Sequence, residues 1–253
     1  MDPQDDVTAA LTLPRRVPPD GLSVRVFADG ADLEGIRDLL SNPLIQGLTT
    51  NPTLMRKAGV RDYEAFARAL LDAVPHLPIS FEVFADEPVE MERQGRLIAA
   101  WGENVYVKIP ITDTRGEPMG DVLRSLSCTG VKVSVTGLMT LEQVARVSEA
   151  LSGPTPACVS VFAGRIADTG IDPVPLMSAA LDILRPHPNI ELIWASPREI
   201  LNVIQADEIG CHIITVTHDL LKKLELLGHD LEAFSLETVR MFHRDAVAAG
   251  YAL

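Results

Sequence analysis

The residue best suited to chemistry is Lys108, within Asn104-Val105-Tyr106-Val107-Lys108-Ile109-Pro110. The stretch reads as a buried strand. Side chains alternate along a strand, so Val105, Val107 and Ile109 share one face, and Tyr106 and Lys108 share the other. Burial disfavours the charged form of an amine, and a neutral amine can condense with a carbonyl to give a Schiff base. Taken alone, the stretch favours a plainer reading, a lysine whose head reaches water past the strand end.

The surrounding chain supplies the elements that would hold such a lysine. Apolar strand candidates recur at Val24–Asp29, Ile45–Asn51, Ile79–Phe84, Asn104–Pro110, Val131–Thr136, Ala157–Ala163, Ile190–Ser196 and Ile213–Thr217. Helical patterns fill most of the intervals: Leu33–Leu40, Tyr63–Val74, Val89–Trp101, Met119–Leu126, Leu141–Leu151, Val174–Leu184, Pro197–Asp207 and Asp219–Leu227. A further helix is predicted over Leu236–Ala249. Thr140 with Gln143 fits a capping box, as does Ser196-Pro197-Arg198-Glu199 with proline at the first helical position. Strands alternating with helices imply a parallel sheet. Eight such units favour an α/β chain closed as a (β/α)8 TIM barrel with an additional C-terminal helix, over a doubly wound open sheet. Residues 1–20 read as a flexible, proline-broken leader, and residues 21–253 as a single barrel domain.

Chemistry in a barrel of this type belongs at the C-terminal ends of the strands. Polar residues collect there with one parity: Asp29; Thr49 and Asn51; Ser80 and Glu82; Tyr106 and Lys108; Ser134 and Thr136; Ser160 and Phe162, followed by Arg165; and Ser196, followed by Arg198. Each has a bland alternative. Ser196 can cap a helix, Asn51 can make a turn, Glu82 can be a satisfied interior carboxylate, and Arg165 can be an exposed loop residue. Jointly they point to a site. Lys132 is the rival amine, but it opens its strand, on the face usually devoted to stability. Lys57, Lys222 and Lys223 fall in solvated helical or loop settings.

Composition narrows the partners. Of 253 residues, 47% are apolar, enough for a sizeable core, and 22 basic against 35 acidic residues leave a net charge of −13. Nucleic acid and membrane partners are therefore not expected, and an anionic small substrate would need a local arginine cluster. The three cysteines, Cys128, Cys158 and Cys211, are too scattered for a metal motif or an even disulfide set, which favours a reducing, cytoplasmic setting. The six histidines make no metal pattern either.

Five segments carry a resemblance to the transaldolase family. Gly47-Leu48-Thr49-Thr50-Asn51-Pro52-Thr53-Leu54 resembles the motif that ends the family's second strand. Val105–Pro110 resembles its active-site lysine strand, and Val135-Thr136 its threonine segment. Ser160-Val161-Phe162-Ala163-Gly164-Arg165-Ile166 resembles Ser-Pro-Phe-Val-Gly-Arg-Ile, and Ala195-Ser196-Pro197-Arg198 resembles Ala-Ser-Phe-Arg. The order is preserved from about Val24 to the last barrel strand.

The resemblance implies a class I enzyme needing no metal and no cofactor. Lys108 would form the Schiff base, Asp29 would move protons during carbon–carbon cleavage, and Glu82 and Thr136 would hold a relaying water. Asn51 and Ser160 would bind the dihydroxyacetone unit, with Thr49, Ser134 and Phe162 beside them. Arg165, Ser196 and Arg198 would bind the substrate phosphate. The chain departs from the pattern at Ser134, where the family commonly has asparagine, at Val161 and at Pro197. The implied activity is transfer of dihydroxyacetone from a phosphorylated ketose donor to an aldehyde acceptor, by a homo-oligomer in carbohydrate metabolism such as the pentose phosphate pathway. The alternatives are a fructose-6-phosphate aldolase-type lyase, a specialised transaldolase making a longer-chain ketose phosphate, and a sugar-phosphate-binding scaffold. Phe162 and Glu82 lean towards transaldolase, since the aldolase group tends to have tyrosine and glutamine there.

Overall fold

Eight parallel strands close on themselves in sequence order, β1 to β8, with β8 pairing back to β1. They are β1 Arg25–Asp29, β2 Ile45–Thr49, β3 Ile79–Glu82, β4 Val105–Pro110, β5 Val133–Leu138, β6 Ala157–Val161, β7 Ile190–Trp194 and β8 Ile213–Thr217. The structure, a computed structural model, describes residues 21–31 and 42–252. The leader expected at 1–20 and the helix expected over 33–40 lie outside those residues.

The described helices are α1 Pro52–Lys57, α2 Tyr63–Ala73, α3 Pro88–Ala99, α4 Gly120–Cys128, α5 Leu141–Ala150, α6 Ala163–Asp168, α7 Pro173–Leu184, α8 Leu201–Glu208, α9 His218–Leu221 and α10 Leu231–Ala248. The chain is thus a (β/α)8 barrel with an extra C-terminal helix. Two short helices, α1 and α6, are additions to the expected elements; at six residues each they are too short to show a helical period. The capping box at Thr140 and Gln143 is present.

Strand parity sorts the side chains into two cores. On the outer face, Val105, Val107 and Ile109 are buried beneath the helical layer. Phe81 likewise turns outward, its ring set edge-on to Tyr63 of α2 and to Trp101 after α3. Inside the barrel a smaller cluster of Phe27, Cys158, Ile193, Ala195 and Ile213 forms a floor, with Tyr106 and Phe162 packed on it. Gly47 permits that floor, because a Cβ there would lie 2.5 Å from the Phe27 ring. Below it, Arg25 of β1 pairs with Glu191 of β7 and ties two strands at the barrel's closed end. The interior above the floor is left to polar residues.

The last helix behaves differently. No residue of α10 is buried, and Leu231, Phe234, Leu236, Val239, Met241, Phe242 and Val247 are all exposed.

Candidate active site

A cavity of about 590 Å³ opens above the floor at the C-terminal ends of the strands. Its wall includes Asp29, Thr49, Asn51, Glu82, Lys108, Thr136, Ser160, Phe162, Arg165, Ser196 and Arg198. Of the twelve residues given roles by the family resemblance, only Ser134 is absent from that wall; Ser80 and Tyr106, which share the inward parity, are absent too.

Lys108 is 8% exposed. Its Nζ donates to the Thr50 carbonyl at 2.9 Å and lies 3.6 Å from Glu82 Oε2. The plainer reading, a lysine head free in water, is therefore overturned. Parity turns both side chains inward, and β3–β4 pairing sets Glu82 directly opposite Lys108. Burial holds the Glu82 carboxyl above its ordinary range, and the Lys108 charge opposes that shift.

Asp29 ends β1 opposite Thr49. Burial also raises its carboxyl, against the opposing effects of the Lys108 charge and of hydrogen bonds from Thr49 and Asn51. The Thr49 hydroxyl donates to Asp29 Oδ1 at 2.9 Å. Asn51 also acts on its own backbone: its Oδ1 accepts from the Leu54 N–H at 3.0 Å and caps α1. Asn51 thus caps a helix rather than making the turn its bland reading offered, and it lines the cavity as well, because an amide has separate donor and acceptor ends. A primary amine flanked by two carboxyls of raised proton affinity has the acid and base that imine chemistry needs.

At the opposite side, Arg165 rises from α6 with its guanidinium 5.4 Å from the Phe162 ring centroid. Arg198 Nη1 donates to Ser196 Oγ at 3.0 Å. Gly164 lets these segments meet: its N–H donates to the Ala195 carbonyl at 3.3 Å, and a Cβ there would sit 1.6 Å from the Ser196 carbonyl oxygen.

Two expectations need correction. Ser196 does not cap a helix. Its backbone lies in the left-handed region at φ 61°, and α8 begins only at Leu201. Asn202 Oδ1 instead accepts from the N–H groups of Arg198 (2.8 Å) and Glu199 (3.2 Å), closing a turn where the helix was expected. No helix N-terminus therefore stands at Ser196 to attract an anion, and Arg165 and Arg198 are the cationic groups there. Ser134 faces inward, as its parity requires, yet it pairs in register with Cys158 of the floor. Its Oγ is buried below the cavity without a hydrogen-bond partner.

Other wall residues fall outside the sequence-derived set, among them Thr53, Leu54, Lys57, Pro197, Thr215 and Thr217. Thr215 and Thr217 share the inward parity of β8, a signal that was readable. Lys57 is exposed, as expected for a helix-end lysine, but α1 carries it to the cavity rim.

The chain is similar to known proteins in sequence and in fold. The family model described as transaldolase/fructose-6-phosphate aldolase matches residues 26–252. A protein named probable transaldolase from Dehalococcoides mccartyi is 34% identical over 209 residues, covering 82% of this chain and 92% of its own. Another of that name from Clostridium acetobutylicum is 35% identical over 215 residues, covering 85% and 94%. Among solved structures, a dihydrodipicolinate synthase family protein from Coccidioides immitis superposes with a TM-score of 0.58 at 14% identity, over 94% of this chain and 80% of its own. A 2,3-dimethylmalate lyase gives 0.53 at 14% identity, over 94% and 87%. At that identity these structures support the fold alone.

Proposed function

The chain belongs to the transaldolase/fructose-6-phosphate aldolase family and is an enzyme of the transaldolase type; on that premise we propose that it transfers a dihydroxyacetone unit through a Schiff base on Lys108. The observation that carries this reading is the Lys108 amine, buried at the cavity wall between the Thr50 carbonyl and Glu82. Glu82 receives the ammonium proton through a water shared with Thr136, and the neutral amine attacks the C2 carbonyl of a ketose phosphate. Water leaves as the iminium forms. Asp29 then takes the proton of the C4 hydroxyl as the C3–C4 bond breaks, and the bond's electrons flow into the iminium. An aldose departs and an enamine stays on Lys108. The enamine attacks an acceptor aldehyde, Asp29 returns its proton to the new hydroxyl, and hydrolysis of the imine frees the product.

Asn51 and Ser160 hold the dihydroxyacetone unit, and Arg165, Ser196 and Arg198 hold the phosphate. Arginine suits that role because its planar fork matches phosphate oxygens. Pro197 at the rim shapes the choice of substrate, and a longer-chain ketose phosphate is the variant of this reading that it allows. The aldolase-type lyase is separated by one assay: cleavage of fructose 6-phosphate without an acceptor aldehyde would replace transfer with simple lysis.

The unburied apolar residues of α10 support a homo-oligomer in which a second copy covers them. Three free cysteines fit a cytoplasmic enzyme of carbohydrate metabolism, serving interconversions like those of the pentose phosphate pathway.

A further inference from the structure

Arg198 is already held by a carboxylate from the neighbouring strand–helix unit. Asp168, the last residue of α6, accepts from Arg198 Nε at 2.9 Å with Oδ1 and 3.1 Å with Oδ2, and it pairs again with Nη2. Arg198 Nη1 donates to Ser196 Oγ at 3.0 Å. A guanidinium offers five N–H donors in a rigid plane. Asp168 takes the Nε–Nη2 edge and Ser196 takes one donor of Nη1, so one donor remains on each terminal nitrogen. Arg198 lines the cavity; Asp168 does not.

We infer that Asp168 is a positioning residue for substrate binding: it clamps the Nε–Nη2 edge of Arg198 so that the remaining donors are set for the oxygens of a phosphorylated substrate. The inference rests on the reading of Arg165, Ser196 and Arg198 as the phosphate end of the site. Three features make the clamp specific. Asp168 and Arg165 stand three residues apart on α6, so one short helix both supplies a cation and fixes the other. Gly164 of the same helix packs against the Ser196 carbonyl, which holds α6 and the Ser196 turn at a constant distance. The Asn202 side chain pins the Arg198 N–H from below, so backbone and guanidinium are fixed independently.

A carboxylate near a phosphate also repels it. Both members of the Asp168–Arg198 pair are about half exposed, so water and salt screen that repulsion. Fixing a long, flexible side chain before the ligand arrives reduces the ordering that binding would otherwise require. Orientation therefore outweighs repulsion, and removing Asp168 weakens the grip.

The test uses the full-length chain and inorganic phosphate as a competitive inhibitor of turnover with fructose 6-phosphate. Asp168→Ala should raise the phosphate inhibition constant and the KM for fructose 6-phosphate about fivefold, the upper range for a half-exposed ion pair, and should change KM more than kcat. Asp168→Asn, which keeps one acceptor oxygen, should recover part of the loss. In an Arg198→Ala background, Asp168→Ala should add nothing. Unchanged or tighter phosphate binding in Asp168→Ala would overturn the inference, as would an equal loss in the Arg198→Ala background. If Arg198→Ala itself leaves phosphate inhibition unaltered, the phosphate reading fails first and the inference falls with it.

Discussion

Glu82 and Lys108 face each other across the β3–β4 pair, with Glu82 Oε2 3.6 Å from Lys108 Nζ. That distance is an ion-pair contact just beyond a direct hydrogen bond, and it puts the carboxylate within reach of the amine's proton. Glu82→Gln keeps the shape and removes the base. It should slow imine formation about 100-fold, the lower range for a positioned acid or base. Single-turnover trapping of the imine measures this step. A rate within about twofold of the original would remove Glu82 from the proton path.

Asp29 ties pH to stability. Burial raises its carboxyl in the folded chain, so the folded state keeps a proton that the unfolded state releases. The associated stability is present below the ordinary carboxyl value of 3.8 and is lost as pH rises through the raised folded value. Asp29→Asn lacks that loss. The melting temperature of Asp29→Asn, relative to the original chain, should rise with pH above 3.8 and then level off. Thermal melts from about pH 4 to about pH 8 supply the comparison, and a difference that falls with pH would reverse the assignment.

Gly164→Ala would place a Cβ 1.6 Å from the Ser196 carbonyl oxygen. Backbone must move to accept it, and overpacking of a tight contact typically costs about 1–3 kcal/mol. A lower melting temperature should accompany a higher KM for phosphorylated donors, since the Ser196–Arg198 segment shifts with α6. A variant matching the parent in both respects would mean that this approach of segments is unimportant to the site.

The exposed apolar face of α10 makes a separate prediction. A chain ending at Asp230 should retain the barrel's circular dichroism, because no α10 residue is buried in it. It should also sediment with fewer subunits than the full chain. An equal number of subunits in both would assign the helix no part in assembly.

Much of this architecture was legible in the sequence, for local reasons. Strand alternation separated Lys108 from Val107 and Ile109, and one parity rule brought Asp29, Glu82 and Thr136 to the same interior. Depth was not legible. Ser134 and Thr136 share a parity, but the β5–β6 register alone sets Ser134 level with Cys158, beside the floor. Ser196-Pro197 imitates a helix start, yet the positive φ of Ser196 and the Asn202 side chain close a turn first. The Asp168 clamp lay out of reach because it joins residues 30 positions apart. No local pattern announces which carboxylate an arginine will meet.

The central claim is that Lys108 forms the covalent intermediate, and borohydride reduction in the presence of fructose 6-phosphate, followed by peptide mass mapping, tests it most directly. One stable adduct is expected, on Lys108, and none in Lys108→Arg, whose guanidinium stays protonated. An adduct on Lys132 or another lysine, or full turnover by Lys108→Arg, would contradict it.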